Sequence, residues 1–344
     1  MKKYILILIS VFALNNTVKA QDDFQNILLA ESADANKLLQ AYFAPAMEGF
    51  IYGMNNGWYH TAKVHKVLGF DVTVGLSAAI VPSEKEVFSI AALGLSNSIS
   101  STSPTASTFA GPNSTTSFTV TRNINNQNVT TNFTTPGGVT SDLPLNAVPA
   151  PVAQLNVGLP FKLEAMVRFF PETYLGNDGG KAKMLGLGLK KEITNWFGPI
   201  NKLPLHVSLL AAYTSMDVSY GIPNSTSGLI TNNALAAFEL KAYTFQAIGS
   251  LNFPFINIYG GIGYSSGESN LKMTGSYTAE YDTGLPAPND KVTQTVTPPN
   301  MSFNASGVKT TIGARFSLWF LKIFADYTIQ EYNTVSAGIA LSIR

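Results

Sequence analysis

From Leu68 onward the chain alternates. Leu68, Phe70, Val72, Val74, Leu76, Ala78 and Ile80 fall on one side, with Gly69, Asp71, Thr73, Gly75 and Ser77 on the other. Successive side chains of a strand point to opposite faces, so this period of two predicts a strand with one apolar and one polar face. The pattern returns at 153–159, 161–169, 205–213, 243–251, 256–264, 308–318, 323–329 and 335–343. A soluble sandwich would carry charge on its outer face, whereas here the polar positions are mostly Gly, Ser and Thr. Aromatic residues (Tyr213, Tyr264, Trp319, Phe320, Tyr332) sit at the strand ends, as an interfacial girdle requires. Short connections at 159–160, 252–254, 319–320 and around Asn333 alternate with long polar ones at 96–150, 221–234 and 267–302. Together these predict an all-β transmembrane antiparallel β-barrel of about 12 strands, or 14 if Trp58–Lys66 or part of the long loop joins the wall.

Before the strands the period is helical. Ala35, Leu38, Leu39 and Tyr42 share one face, Asp34 is placed to cap the start, and Pro45 is expected to stop the helix. Its apolar face needs a partner, which predicts a short periplasmic or plug helix within a hatch-like segment, 21–57; lying on the inner membrane face is the alternative. Residues 58–344 form the barrel. Met1–Ala20 reads as a cleaved signal peptide, with Lys2 and Lys3 before an apolar run and a small residue at the cut. The expected location is the outer membrane of a Gram-negative bacterium.

Composition narrows the class. Only 12% of residues are charged against 45% hydrophobic, whereas soluble proteins average about 25% charged. Beyond the N-terminus no run of roughly 18 apolar residues exists, so membrane helices are not expected. Without residues 1–20, 19 basic and 21 acidic residues remain, a balance that offers nothing to nucleic acid. There is no Cys and there are three His, so disulfides, thiolate metal sites and thiol chemistry are excluded. No metal, cofactor or enzymatic activity is expected. His206 and Ser208 share a face and resemble the His-x-Ser pair of outer-membrane lipid deacylases, but the sequence offers them no orienting acid.

The inward positions are more informative. By parity Asp71, Lys162, Glu164, Arg168, Lys309, Arg315, Lys322 and Asp326 face the lumen. Both signs are present, which argues against a single-sign selectivity ring and for pairing with one another or with a plug. Met166, Leu210, Ile248, Tyr259 and Phe324 also point inward, and a plain water-filled porin would not need them. The expected plug residues are Leu38, Leu39, Tyr42, Trp58 and His65. In the long loop 96–150 more than half the residues are Ser, Thr or Asn, with a hairpin over Thr116–Asn123 and Val129–Thr135. A solvated tether is the simplest reading of it; an adhesive or phage-facing loop, or a lid, are the functional ones.

Asp34–Tyr42, Tyr52-Gly-Met-Asn-Asn-Gly-Trp-Tyr59, Thr61-Ala-Lys-Val-His-Lys66 and Gly69-Phe-Asp71 are similar to an uncharacterised Gram-negative outer-membrane β-barrel family of unknown function. More loosely, an N-terminal helix, a Gly/Asn-rich segment and then strands resemble the long-chain fatty-acid transporter family, although that family's Asn-Pro-Ala hatch motif is missing here. That resemblance implies a hatch gating a hydrophobic path. The expected function is a barrel passing hydrophobic or amphipathic small molecules, gated by its N-terminal segment. The alternative is a structural or surface-interaction barrel acting through the long loop. Expected partners are membrane lipid, a hydrophobic ligand and the barrel-assembly machinery during insertion.

Overall fold

The computed structural model describes residues 24–124, 127–140, 144–175, 180–226 and 228–343; the expected signal peptide lies outside them. Ten antiparallel strands form a closed ring. They are β1 (Phe70–Ile80), β2 (Ala147–Leu159), β3 (Leu163–Leu175), β4 (Gly180–Glu192), β5 (Leu205–Gly221), β6 (Leu229–Asn252), β7 (Ile256–Asp282), β8 (Met301–Leu318), β9 (Leu321–Ile329) and β10 (Thr334–Ile343). Each pairs with its neighbours in sequence, and β10 closes onto β1 from Phe70↔Ile343 to Ala79↔Thr334. The barrel is as the alternation predicts, with ten wall strands rather than about twelve. The two segments that would have raised the count to fourteen both stay out of the wall. Trp58–Lys66 does not join the wall, and the hairpin Thr116–Ile124/Gln127–Thr135 forms its own small sheet with Ile99–Ser100.

The outer surface marks the membrane. Leu185, Leu187 and Leu189 on β4, Phe245 on β6 and Ile258 and Ile262 on β7 are exposed aliphatic and aromatic groups. Tyr213, Tyr243 and Tyr264 end this band on one side, while Phe161, Trp196, Phe253 and Trp319 flank it on the other. From Ile256 to Tyr264 the span matches the roughly 9–11 residues a tilted strand needs to cross. Beyond the tyrosines the outer face turns charged, with ion pairs Lys183–Asp217, Lys272–Glu239 and Lys241–Glu268 at 3.2, 3.2 and 3.8 Å. At that end β6 and β7, 24 and 27 residues long, rise well above the membrane. Much of 221–234 and 267–302, expected as loop, is therefore wall strand. The end with short turns is the periplasmic one, and the tall end faces outward.

Helix α1 (Ser32–Met54) lies inside the ring. It starts among the long loops and descends toward the membrane, so its place is the outward-facing half of the lumen and not the periplasm. From Tyr42 onward it is apolar nearly all round because it is enclosed there, whereas Ser32, Ala33, Asn36 and Lys37 in its first turns are exposed. Pro45 does not end it. Pro45 deprives the Ala41 carbonyl of its donor, and at the next position the Tyr42 carbonyl accepts the Phe109 N–H of the long loop at 2.8 Å, which ties this turn to the loop. Asp34 caps nothing; it accepts the Ser96 N–H at 3.0 Å and ties the helix to the loop. Gly49 and Gly53 let the helix lie directly on β2, since a Cβ on either would meet Val148 or Ala150 within 3.0 Å.

The 96–150 loop is no solvated tether. Ile99, Phe118, Val120, Val129 and Phe133 are buried in one core with Phe24, Leu28, Leu38 and Tyr42. Hydrophobic burial of this kind makes the loop a folded cap over the mouth of the barrel.

Candidate functional site: the filled lumen

Below Met54 the chain abandons helix and runs extended through the lumen to His65, close to the periplasmic rim. An extended single segment cannot satisfy its own N–H and C=O groups, and burying them unpaired is costly. The wall supplies the partners. Arg168 on β3 donates from Nη1 to the Met54 carbonyl at 2.9 Å and from Nη2 to the Asn56 carbonyl at 2.8 Å. Its Nε donates to Gln154 Oε1 at 2.8 Å, and Gln154 in turn donates to the Trp58 carbonyl at 2.9 Å. Lys309 on β8 donates to the Asn55 carbonyl at 2.6 Å and to Asn56 Oδ1 at 3.1 Å. Lower down, Lys190 reaches the Thr61 carbonyl, Ser250 receives the Ala62 N–H, Ser208 donates to the Ala62 carbonyl, and Glu192 and Glu164 accept the Val64 and His65 N–H groups.

The side chains of the segment are seated too. The Trp58 ring lies over Gly186 and Gly188 of β4, where a Cβ would come within 3.1 and 3.0 Å of it, and the Arg168 guanidinium stacks on the ring at 3.9 Å. Tyr59 meets Tyr259 edge-on at 5.8 Å, within a cluster that also holds Met166, Leu210 and Ile248. These inward apolar groups are sockets for the plug. His60 lies 3.0 Å from Arg315 and rests on the Phe324 ring. His65 bridges the wall, 3.2 Å from Asp71 on β1 and 2.8 Å from Glu164 on β3. Burial alone would lower its pKa, but the two carboxylates outweigh that and raise it to about 9. A second anchor holds the last two turns of the helix. Tyr52 donates to Glu331 at 2.7 Å, and Lys85 joins Glu48 and Glu331 at 2.7 and 2.6 Å.

The parity reading therefore places Asp71, Glu164, Arg168, Lys309, Arg315 and Asp326 in the lumen, and the first five touch the plug directly. Asp326 acts one step removed, by accepting the Tyr259 hydroxyl at 3.0 Å. Lys162 is a correction. It sits in the tight turn Pro160–Lys162 with φ 58°, outside the lumen, and reaches Glu192 and Asn195 at the rim. Lys322 stays at the same rim, donating to the Trp319 carbonyl, with no bond to the plug. Of the plug residues, Trp58 and His65 contact the wall as above, whereas Leu38, Leu39 and Tyr42 pack in the outward cap. Lys190, Glu192, Gln154 and Ser250 went unnoticed. The signal for Lys190 and Glu192 was present, since both share the parity of Gly186 and Gly188. His206 does have an acid neighbour, Glu192 at 3.0 Å, but Ser208 spends its hydroxyl on Ala62, so the pair expected of a deacylase does not form.

A closed ring with a lipid-facing band, aromatic borders and a lumen filled by its own N-terminal segment defines an outer-membrane β-barrel of the plugged kind. A family model described as a family of unknown function, DUF6588, matches residues 1–343, and the chain belongs to that family. No curated protein matches the sequence. Among solved structures it is similar to Ail, the attachment invasion locus protein of Yersinia pestis, in complex with a heparin analogue, at 7% identity and TM-score 0.27 over 80% of this chain and 99% of that one. It is also similar to the translocator domain of the autotransporter NalP from Neisseria meningitidis, at 9% identity and TM-score 0.26 over 81% and 90%. The channel DcaP of Acinetobacter baumannii follows at 9% and 0.18, over 82% and 100%. At these scores the likeness carries no argument about function.

Proposed function

We propose that the protein is a gated outer-membrane barrel in which residues 24–66 are the gate and hydrophobic or amphipathic small molecules are the cargo. The observation that carries this is the stretch 55–65. It holds no regular structure, and its backbone is satisfied by wall side chains one bond at a time. Such bonds exchange for water individually, whereas a helix or ladder would have to unfold cooperatively. The apolar cap above the membrane supports a hydrophobic cargo, because it offers apolar surface before the polar lumen is reached.

The test is conductance in a planar bilayer. The refolded chain is expected to be silent or to flicker rarely, and deletion of residues 24–56 is expected to give steady openings. Equal conductance before and after the deletion would refute the gate. A second reading, a surface-interaction barrel, rests on the long loop folding into a rigid cap whose hairpin turns its Ser, Thr and Asn side outward. Removing 96–150 would then abolish partner binding and leave conductance alone.

A further inference from the structure

The ring is not paired along its whole height. β2 is bonded to β1 from Phe70↔Val157 to Ile80↔Ala147, yet to β3 only between Gln154↔Arg168 and Leu159↔Leu163. Above that level Ala147–Ala153 pair with β1 alone, and β3 from Phe169 onward pairs with β4 alone. The two strands are therefore split over the upper part of the wall.

The sequence enforces the split. Pro149 and Pro151 pair with Ala78 and Leu76 of β1, so their ring nitrogens face the β3 side. A proline has no N–H, so β2 lacks donors at the positions where β3 would have to zip. Pro171 removes another from the free stretch of β3, within a register shift between Phe170 and Thr173. An open edge in hydrocarbon leaves polar groups unsatisfied, and prolines on both edges reduce their number.

Height and lining say what the split is for. Phe169 pairs with Leu185, both exposed to lipid, while Lys183 just above is paired with Asp217 in the charged zone. The split thus begins in the apolar band and opens past its outward border. Behind it lies an apolar cluster from both sides of the gap, with Met54, Ala150, Met184 and Met216 buried and Phe50 and Phe170 half-buried against them. Methionine side chains are unbranched and polarisable, and adapt to guests of varied shape.

We infer that the split between β2 and β3 is a lateral portal. Through it the acyl chain of an amphiphile in the outer leaflet enters the methionine cluster, while its polar head stays at the height of Lys183 and Asp217. This rests on the gated-barrel reading for what happens to the cargo next, but not for the entry itself.

The chain has no cysteine, so a staple can be placed cleanly. Ala153→Cys with Phe169→Cys puts two thiols directly opposite if the register of Gln154↔Arg168 is continued. Oleate carrying a diazirine on its acyl chain is the probe, photoactivated in vesicles and mapped by mass spectrometry. In the native chain both the outward Leu187 and the inward Phe170 and Met184 are expected to be labelled. With the oxidised staple, inward labelling should fall at least tenfold while Leu187 is unchanged, and reduction should restore it. Pro149→Thr with Pro151→Thr returns the donors and should lower inward labelling without any cysteine, which covers failure of the stapled chain to fold. Inward labelling that survives both variants, or a native chain labelled on Leu187 alone, overturns the portal. If deletion of 24–56 opens the barrel but the inward residues are never labelled, the portal fails and the gate stands. Inward labelling with conductance unmoved by that deletion gives the reverse.

Discussion

Arg168→Met is the sharpest perturbation of the gate. Arg168 is 1% exposed, lies on Trp58, and holds two plug carbonyls and Gln154 with three hydrogen bonds. Methionine keeps the apolar contact with Trp58 but leaves the Met54 and Asn56 carbonyls without a donor while the segment is seated. Hydrogen bonds from a charged group are each worth about 1.5–3 kcal/mol. Part of that is recovered because a buried charge is no longer desolvated, so the net cost is nearer the roughly 3–5 kcal/mol of breaking a buried ionic contact. When the segment is displaced, water satisfies both sides and the substitution costs little. At 1.4 kcal/mol per factor of ten, the ratio of displaced to seated segment rises by roughly a hundredfold to several thousandfold. Open probability in a planar bilayer reads that ratio directly, and heat-modifiable mobility on a gel confirms that the barrel has folded. Lys162→Met, at the rim and off the lumen, should change nothing. If Arg168→Met is as silent as the native chain while the 24–56 deletion conducts, the segment is not held by its polar bonds and the reasoning is wrong.

The other expectations can be checked with the same preparations. Gly188→Leu puts side-chain atoms where Trp58 lies 3.0 Å from a would-be Cβ, so it should unseat Trp58, red-shift its fluorescence and raise conductance; unchanged emission would contradict the socket. An epitope fused ahead of Phe24 should be reached by antibody on intact cells, because Phe24–Leu29 packs in the outward cap with the hairpin and the Leu29 carbonyl accepts the Tyr281 hydroxyl. An epitope after Ile343 should not be reached, and the opposite pattern would reverse the orientation assigned to the barrel. Gate openings should also depend on pH at both ends. His65 has its pKa raised to about 9, so its hold is full below its ordinary value of about 6.5 and is lost as pH climbs through 9. Glu331 is depressed, because Lys85 and Tyr52 outweigh the opposing effect of burial. Its hold is full above about 4.3 and fades as pH falls through the lowered value. Openings should therefore be rarest between about pH 4.3 and 6.5, and a profile flat to pH 10 would remove His65 from the mechanism.

Strand parity made most of the wall legible. It set Asp71, Glu164, Arg168 and Lys309 inward and Leu76, Phe169 and Ile312 outward without any tertiary information, because lipid and lumen impose opposite demands on neighbouring positions. It failed at Lys162, where two successive residues with positive φ, Phe161 and Lys162, turn the chain and break the count. The part of β7 beyond Tyr264 was also hidden. Above the membrane its outer face becomes polar, and alternation of Ser, Glu and Asn with Gly and Lys looks like loop. The cap was missed for a related reason, since its few apolar residues are spaced among Ser and Thr and their burial depends on α1, far away in sequence. Pro45 misled because the rule that proline ends a helix weighs only the lost backbone bond, and here burial of Ala46 and Met47 just beyond it holds the helix in place.

The course of the chain explains why a plug so dependent on buried polar side chains can be reliable. The segment 55–66 runs directly into β1, so it need not find the lumen from solution; its effective concentration there is set by a few residues of linker. But it enters from the tall end, and β1 pairs with β10, which follows the other nine wall strands along the chain. A ring already closed would have to be threaded by a 23-residue helix capped by a folded loop. The simpler order is that α1 is laid on β2 through Gly49 and Gly53, and the β1–β10 seam then closes around it. On that order the inward Arg168, Lys190 and Lys309 are never left buried without partners, because the carbonyls they need arrive before the water leaves. The same order leaves β2 braced by β1 and α1, and free of β3 along the edge where Pro149 and Pro151 stand.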